Sequence, residues 1–206
     1  MRALCSIVLS LAVAHSAAAA ILHVNDDGQL TGASDVDVGG ILYDVTFGPG
    51  SCVSRLDGCD EQSDLTFHSL EAAKAASRAL LEQVLIDTVL GAFDTQPELT
   101  YGCSDLLVCE IHTPFLLSGT GTGTGRRVDA SRAQNGGTVA IPDTVSRGAL
   151  VYGSFTQLGI GQHTGTIWAD WSPSPPSAVS EPGAFSLLLL GLGAIGASRV
   201  GKRGSF

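Results

Sequence analysis

Basic side chains are scarce in this sequence, with 11 Lys and Arg against 20 Asp and Glu in 206 residues. With Arg2, Arg199, Lys202 and Arg203 at the ends set aside, residues 21–181 keep seven basic side chains against all 20 acidic ones, a body charge of −13. Phosphate recognition needs clustered Lys and Arg, and the body's only basic pair is Arg126 and Arg127, so nucleic acid is excluded as a partner. HExxH, GxSxG, Walker A and spaced GxGxxG motifs are all missing; the Gly/Thr repeat at residues 119–125 has neither the lysine nor the glycine spacing of a phosphate loop. No catalytic, cofactor-binding or metal-binding residue is assigned on sequence, and no cofactor is expected. No apolar run reaches the roughly 20 residues of a permanent membrane helix. Aromatics make up only 6% of the chain while glycine reaches 26 residues, a balance that suits a turn-rich body containing β-structure.

The two ends differ from the body. Arg2 precedes a mostly apolar run over residues 3–14, and Ala17, Ala18, Ala19 and Ala20 follow, small enough for a signal peptidase site. Residues 1–20 therefore read as a secretory signal cut just before or after Ala20. At the other end, residues 172–182 form a Pro/Ser linker that Pro keeps out of helix and central strand. Residues 183–198 are uncharged and built on four consecutive leucines; as a helix they would span roughly 24 Å, short of a bilayer core of about 30 Å. The basic tail, residues 199–206, carries Arg199, Lys202 and Arg203. Basic flanks stay cytoplasmic, so the body faces the side to which the signal directs it.

Val179, Ser180, Glu181 and Pro182, the apolar segment with Gly191, Gly193 and Gly196, and the basic end together resemble the PEP-CTERM sorting region of exosortase substrates in Gram-negative bacteria that make exopolysaccharide. The family shows Pro-Glu-Pro, and Ser180 replaces its first proline here. The resemblance covers about 30 residues and implies that an exosortase-like transpeptidase removes the tail near Glu181, after a transient stay in the inner membrane facing the periplasm. Release or attachment at the cell surface then follows. A simple tail anchor is the alternative. The stretch from Leu30 through Tyr43 and Phe47 to Cys52 is also similar to the opening of a recurrent body type in that family.

Residues 21–171 make one exported domain. Leu22 and Val24, the turn from Asn25 to Gly28, and Leu30 predict a first hairpin; alternation over residues 35–38, then Gly39, Gly40 and the period-two run Ile41, Tyr43, Val45 and Phe47 predict a second. Residues 69–93 switch to helical period: Leu70, Ala73, Leu80, Leu81, Val84, Leu85 and Val89 share one face, Ser69 caps, and Glu71/Lys74 and Arg78/Glu82 are spaced as surface pairs. Further strands are expected at residues 106–117, 138–141, 149–158 and 164–171, the last two forming a hairpin. The fold class is α+β, an antiparallel sheet with one long amphipathic helix packed on it.

Cys5 belongs to the signal, leaving Cys52, Cys59, Cys103 and Cys109 in the exported body. Local disulfides, Cys52 with Cys59 and Cys103 with Cys109, are favoured over the other pairings, over reduced thiols, and over a zinc site, whose knuckles use shorter spacings. His68 and Glu71 stand at i, i+3, which reads as helix-end chemistry ahead of a metal pair. Asp57, Asp60, Glu61 and Asp64 form a solvated acidic loop or, less simply, a calcium site lacking the EF-hand order. His23, His112 and His163 have no nucleophile or carboxylate assigned to them. Trp168 and Trp171, three apart, point to opposite faces of a strand; one belongs in the core, and the other, with Tyr152, could stack on a sugar ring. The function expected is therefore a surface or exopolysaccharide-matrix protein without enzymatic activity. A carbohydrate-binding module and an unrecognised secreted hydrolase are the alternatives.

Overall fold

The computed structural model describes residues 19–118, 127–147, 151–152 and 166–176. The signal run, the Gly/Thr repeat, His163, the sorting residues Ser180, Glu181 and Pro182, the apolar segment and Arg199, Lys202 and Arg203 lie outside these. Among the described residues no helix is long and apolar enough to cross a membrane.

The chain opens with a meander whose turns are written in the sequence. Strand β1 (Ile21–Val24) pairs antiparallel with β2 (Leu30–Val38), and the Asn25 carboxamide oxygen accepts from the Asp27 and Gln29 amides at 3.1 and 2.8 Å. β3 (Ile41–Gly48) follows after two residues, Gly39 and Gly40, at φ 67° and 90°. Both positive angles match the mirror-image turns whose twist suits a hairpin.

A short helix α1 (Cys52–Arg55) comes next and is closed into its loop by the Cys52–Cys59 disulfide, Cα atoms 5.6 Å apart. Helix α2 (Leu70–Ala79) starts where Ser69 Oγ accepts from the Ala72 amide at 3.2 Å, and Glu71 lies in its first turn. It widens into a π-helical turn, Leu80–Val84, and ends at Leu85, short of Phe93. Asp87 explains the stop. Its carboxylate accepts from the amides of Asp94 and Thr95 at 2.9 and 3.1 Å and from Thr95 Oγ1 at 2.9 Å. Those bonds are open to a turn and closed to a helix, and side chains such as Asp favour that competition. Asp87 thus begins a small hairpin of β4 (Asp87–Thr88) and β5 (Gly91–Ala92), with Val89 fully exposed at its tip rather than on a buried helix face.

β6 (Val108–Ser118) pairs along its length with β7 (Arg127–Gly136), which pairs in turn with β8 (Thr144–Arg147) and with β9 (Val151–Tyr152). The last strand, β10 (Thr166–Pro173), lies between β3 and β6, antiparallel to the first and parallel to the second. Among the described residues the eight-stranded sheet is therefore mixed and not purely antiparallel, with β9 paired to β7 and β10 to β3 and β6. Ile167, Trp168 and Ala169 are all fully buried, and the centre of the sheet is where both faces of such a strand are covered. Thr138 and Ile141 bridge each other within the β7–β8 turn in place of a strand at residues 138–141.

On one face of the sheet the main core joins Leu80, Val84 and Phe93 to Val45, Ile111 and Trp171. On the other, Cys52, Leu56, Cys59 and Leu65 pack on Val128 and Trp168. The second disulfide, Cys103–Cys109, ties the start of β6 to its preceding loop with Cα atoms 5.8 Å apart. All four body cysteines are thus in disulfides, in place of zinc or free thiols. By loop-closure entropy, loops this short contribute about 2 to 3 kcal/mol each.

Candidate functional site

A groove of about 800 Å³ lies beside the start of β1. Residues 19–22 form one wall, and Ile86, Val89 and Leu90, from the end of the helical segment and the β4–β5 tip, form the other. Asp37, Glu82 and Gln83 complete it. Gln83 fixes the helical segment to β2: its Nε2 donates to the Asp37 carbonyl at 2.8 Å and its Oε1 accepts from the Asp37 amide at 3.0 Å, so a side chain takes the place of a neighbouring strand just beyond β1. The Asp37 carboxylate accepts from the Gly40 amide at 2.6 Å. An apolar trough with an acidic rim and no basic residue among its described lining suits an apolar ligand carrying positive charge. The Thr88 hydroxyl in its lining accepts from the Leu90 amide at 3.1 Å.

A second polar group lies on the α1 side of the sheet. Glu110 and Arg132 pair at 2.6 Å across β6 and β7, and Arg132 Nε donates to Ser146 Oγ at 3.2 Å. His112 stands beside them, buried, with its ring edge toward Trp168 at 6.2 Å and with no hydrogen-bond partner for Nδ1 among the described residues. Burial, with Arg132 adding its positive charge, lowers the His112 pKa to about 4. At neutral pH the imidazole is therefore uncharged. Nearby, Asp170 is shifted upward by burial, with Arg55 opposing, while Arg55 donates to Thr46 Oγ1 at 3.2 Å. At the base of the β4–β5 hairpin, hydrogen bonds from Thr95 and Asp94 hold Asp87 low; burial and the charges of Asp143 and Asp87 raise Asp94.

The sequence candidates separate in space. His23 Nε2 is 3.0 Å from Ser34 Oγ, the one His–Ser contact found among the described residues, but it is an exposed cross-strand pair outside the groove. His68 Nε2 donates to the Leu65 carbonyl at 2.7 Å, and Glu71 pairs with Lys74 at 3.7 Å, which divides the proposed metal pair. Asp64 accepts from the amides of Asp60 and Glu61 at 2.9 and 3.0 Å, capping the turn after the disulfide loop. Among the described residues no three His, Cys, Asp or Glu side chains converge as metal ligands.

The tryptophans correct the sugar-stacking expectation. Trp168 is fully buried and donates to the Gly50 carbonyl at 3.1 Å; Trp171 is 5% exposed and donates to Thr113 Oγ1 at 3.2 Å. They do face opposite sides of the sheet, but both sides are covered, so neither indole is free for a ring. Tyr152 lies on β9 opposite Arg127. No family model, curated protein or solved structure matches this chain. The groove therefore has to be read from its own chemistry. It escaped the sequence reading because its hairpin wall falls where helical periodicity was expected; the Asp-Thr pair at residues 87–88, unfavourable in a helix, was the available signal.

Proposed function

We propose that this chain is an exported, non-enzymatic surface or exopolysaccharide-matrix protein, sorted through a PEP-CTERM-like C-terminal signal. The structural observation that supports export is the engagement of all four body cysteines in short-loop disulfides, bonds that form and persist in oxidising compartments. The sequence of the two ends supports the rest. Signal peptidase acts next to Ala20, the segment at residues 183–198 is held in the inner membrane with the body in the periplasm, and an exosortase-like enzyme cuts near Glu181 within the motif Ser180, Glu181, Pro182. Arg199, Lys202 and Arg203 set the orientation of the intermediate.

Intact mass of the protein recovered outside the cell, with thiol labelling before and after reduction, tests this reading. The expected species begins near Ile21, ends near Glu181 and gains four labelled thiols only on reduction. A mass retaining residues 183–206 would reduce the tail to a plain anchor, and thiols that label without reduction would remove the case for export. Replacing Arg199, Lys202 and Arg203 together with Glu is expected to impair retention and sorting; normal processing of that variant would refute the orientation argument.

A further inference from the structure

We infer that the groove at the start of the outer edge of β1 takes up an extended segment of a partner protein by strand addition, a segment apolar at alternate positions and flanked by Lys or Arg. Ile21 and Leu22 of β1 border the groove, with Ala19 and Ala20 just ahead of the strand. Successive side chains of a strand point to opposite faces, so Ile21 and Leu22 share one groove only where it reaches the strand's edge. β1 is the terminal strand of the sheet, with β2 on one side and no strand on the other among the described residues. Its outer N–H and C=O groups therefore form a template for another strand. Edges kept from pairing usually carry Lys or Pro; β1 reads Ile-Leu-His-Val, and its only irregularity falls at its far end, between His23 and Val24.

The facing wall supplies the side-chain pockets. Val89 is fully exposed and Leu90 is 54% exposed, at a turn where polar residues are the norm. Ile21, across from them, is 58% exposed. Charge selects the occupant. The charged side chains among the described lining are Asp37 and Glu82, both acidic, and the whole chain carries −9. A second copy of the chain would bring the same acids to the same place, whereas a basic flank is complementary. Removal of the signal next to Ala20 leaves Ile21, Leu22 and the whole hairpin wall, and the new α-ammonium offsets at most one of the two carboxylates.

The test titrates the synthetic peptide Lys-Val-Thr-Val-Thr-Val-Lys, capped at both ends, into the isotope-labelled full chain as the expressing cell processes it. Saturable amide shifts are expected over residues 21–24 and 88–90. N-methylation of every second peptide amide should weaken binding at least about tenfold, since it removes main-chain donors without removing apolar surface. Leu90→Asp, at an exposed site, should weaken it about tenfold as well. Glu82→Lys should cost about threefold at low salt and reverse the preference toward a Glu-flanked peptide. An N-methylated peptide that binds as tightly as its parent, shifts centred elsewhere, or no binding at about millimolar peptide would overturn strand addition. So would dodecyltrimethylammonium, below its micellar concentration, reproducing the same shifts, because the groove would then be an amphiphile site.

Discussion

Acidification should destabilise this protein through one buried imidazole. The His112 pKa falls from 6.5 to about 4 in the folded chain, chiefly by burial and secondarily by Arg132. A folded pKa below the unfolded one means that the unfolded chain binds the proton more readily between these two values. Stability is therefore unaffected by this group above about pH 6.5 and declines as pH falls toward 4, by about 2.5 kcal/mol at pH 4.5 and about 3 kcal/mol at pH 4. Asp94 and Asp170, both shifted upward, act in the opposite sense across the carboxylate range, and Asp87, shifted downward, withdraws stability only at still lower pH. The comparison must therefore be between chains. Urea unfolding at about pH 7.5 and about pH 4.5 should show the native chain losing about 2.5 kcal/mol more than His112→Gln or His112→Leu. Two replacements guard against a packing defect in either one, since only the pH-dependent difference matters. Equal losses in the native chain and both variants would refute the assignment of that imidazole as buried and neutral.

Three further outcomes follow from the packing. Ser69→Ala removes the α2 cap and should cost about 1 kcal/mol in urea unfolding at neutral pH. Trp168→Ala should cost about 3 to 5 kcal/mol by opening a cavity at the centre of the sheet; a variant that kept its stability while losing polysaccharide retention would restore the sugar-stacking role. Reduction of both disulfides should lower stability by about 4 to 6 kcal/mol in total, with Cys52→Ala/Cys59→Ala alone accounting for about half, as separate denaturation of each species would show.

The opening meander was legible because its turns have local causes: Asn25 accepts from amides within its own turn, and Gly39 and Gly40 supply positive φ. The helix start was equally local, and its end was not. Leu80, Val84 and Leu85 do enter the core, but Val89 continues their spacing only on paper, because Asp87 satisfies amides across a turn instead. β7 escaped notice altogether. Its sequence, Arg-Val-Asp-Ala-Ser-Arg-Ala-Gln-Asn-Gly, has weak strand propensity, and pairing with β6 over ten positions overrides it. The position of β10 between β3 and β6 rests on contacts more than fifty residues distant in sequence, which no local pattern encodes. The cysteine pairs were favoured by short spacing and lie in short loops in the structure. Neither tryptophan revealed that the disulfide loop covers the second face of the sheet.

Because β10 is the keystone between two groups of strands, the order of synthesis matters to how this protein acquires its shape. Through the sheet, among the described residues, the β1–β3 meander meets β6–β8 only by way of this last strand, and Val45 on β3 must wait for Trp171. Pairings of such high sequence separation slow folding, since a long loop is closed before its contacts stabilise it. A chain emerging from its amino end holds two unfinished half-sheets with open edges until residues 166–173 arrive. Only then do they become one body.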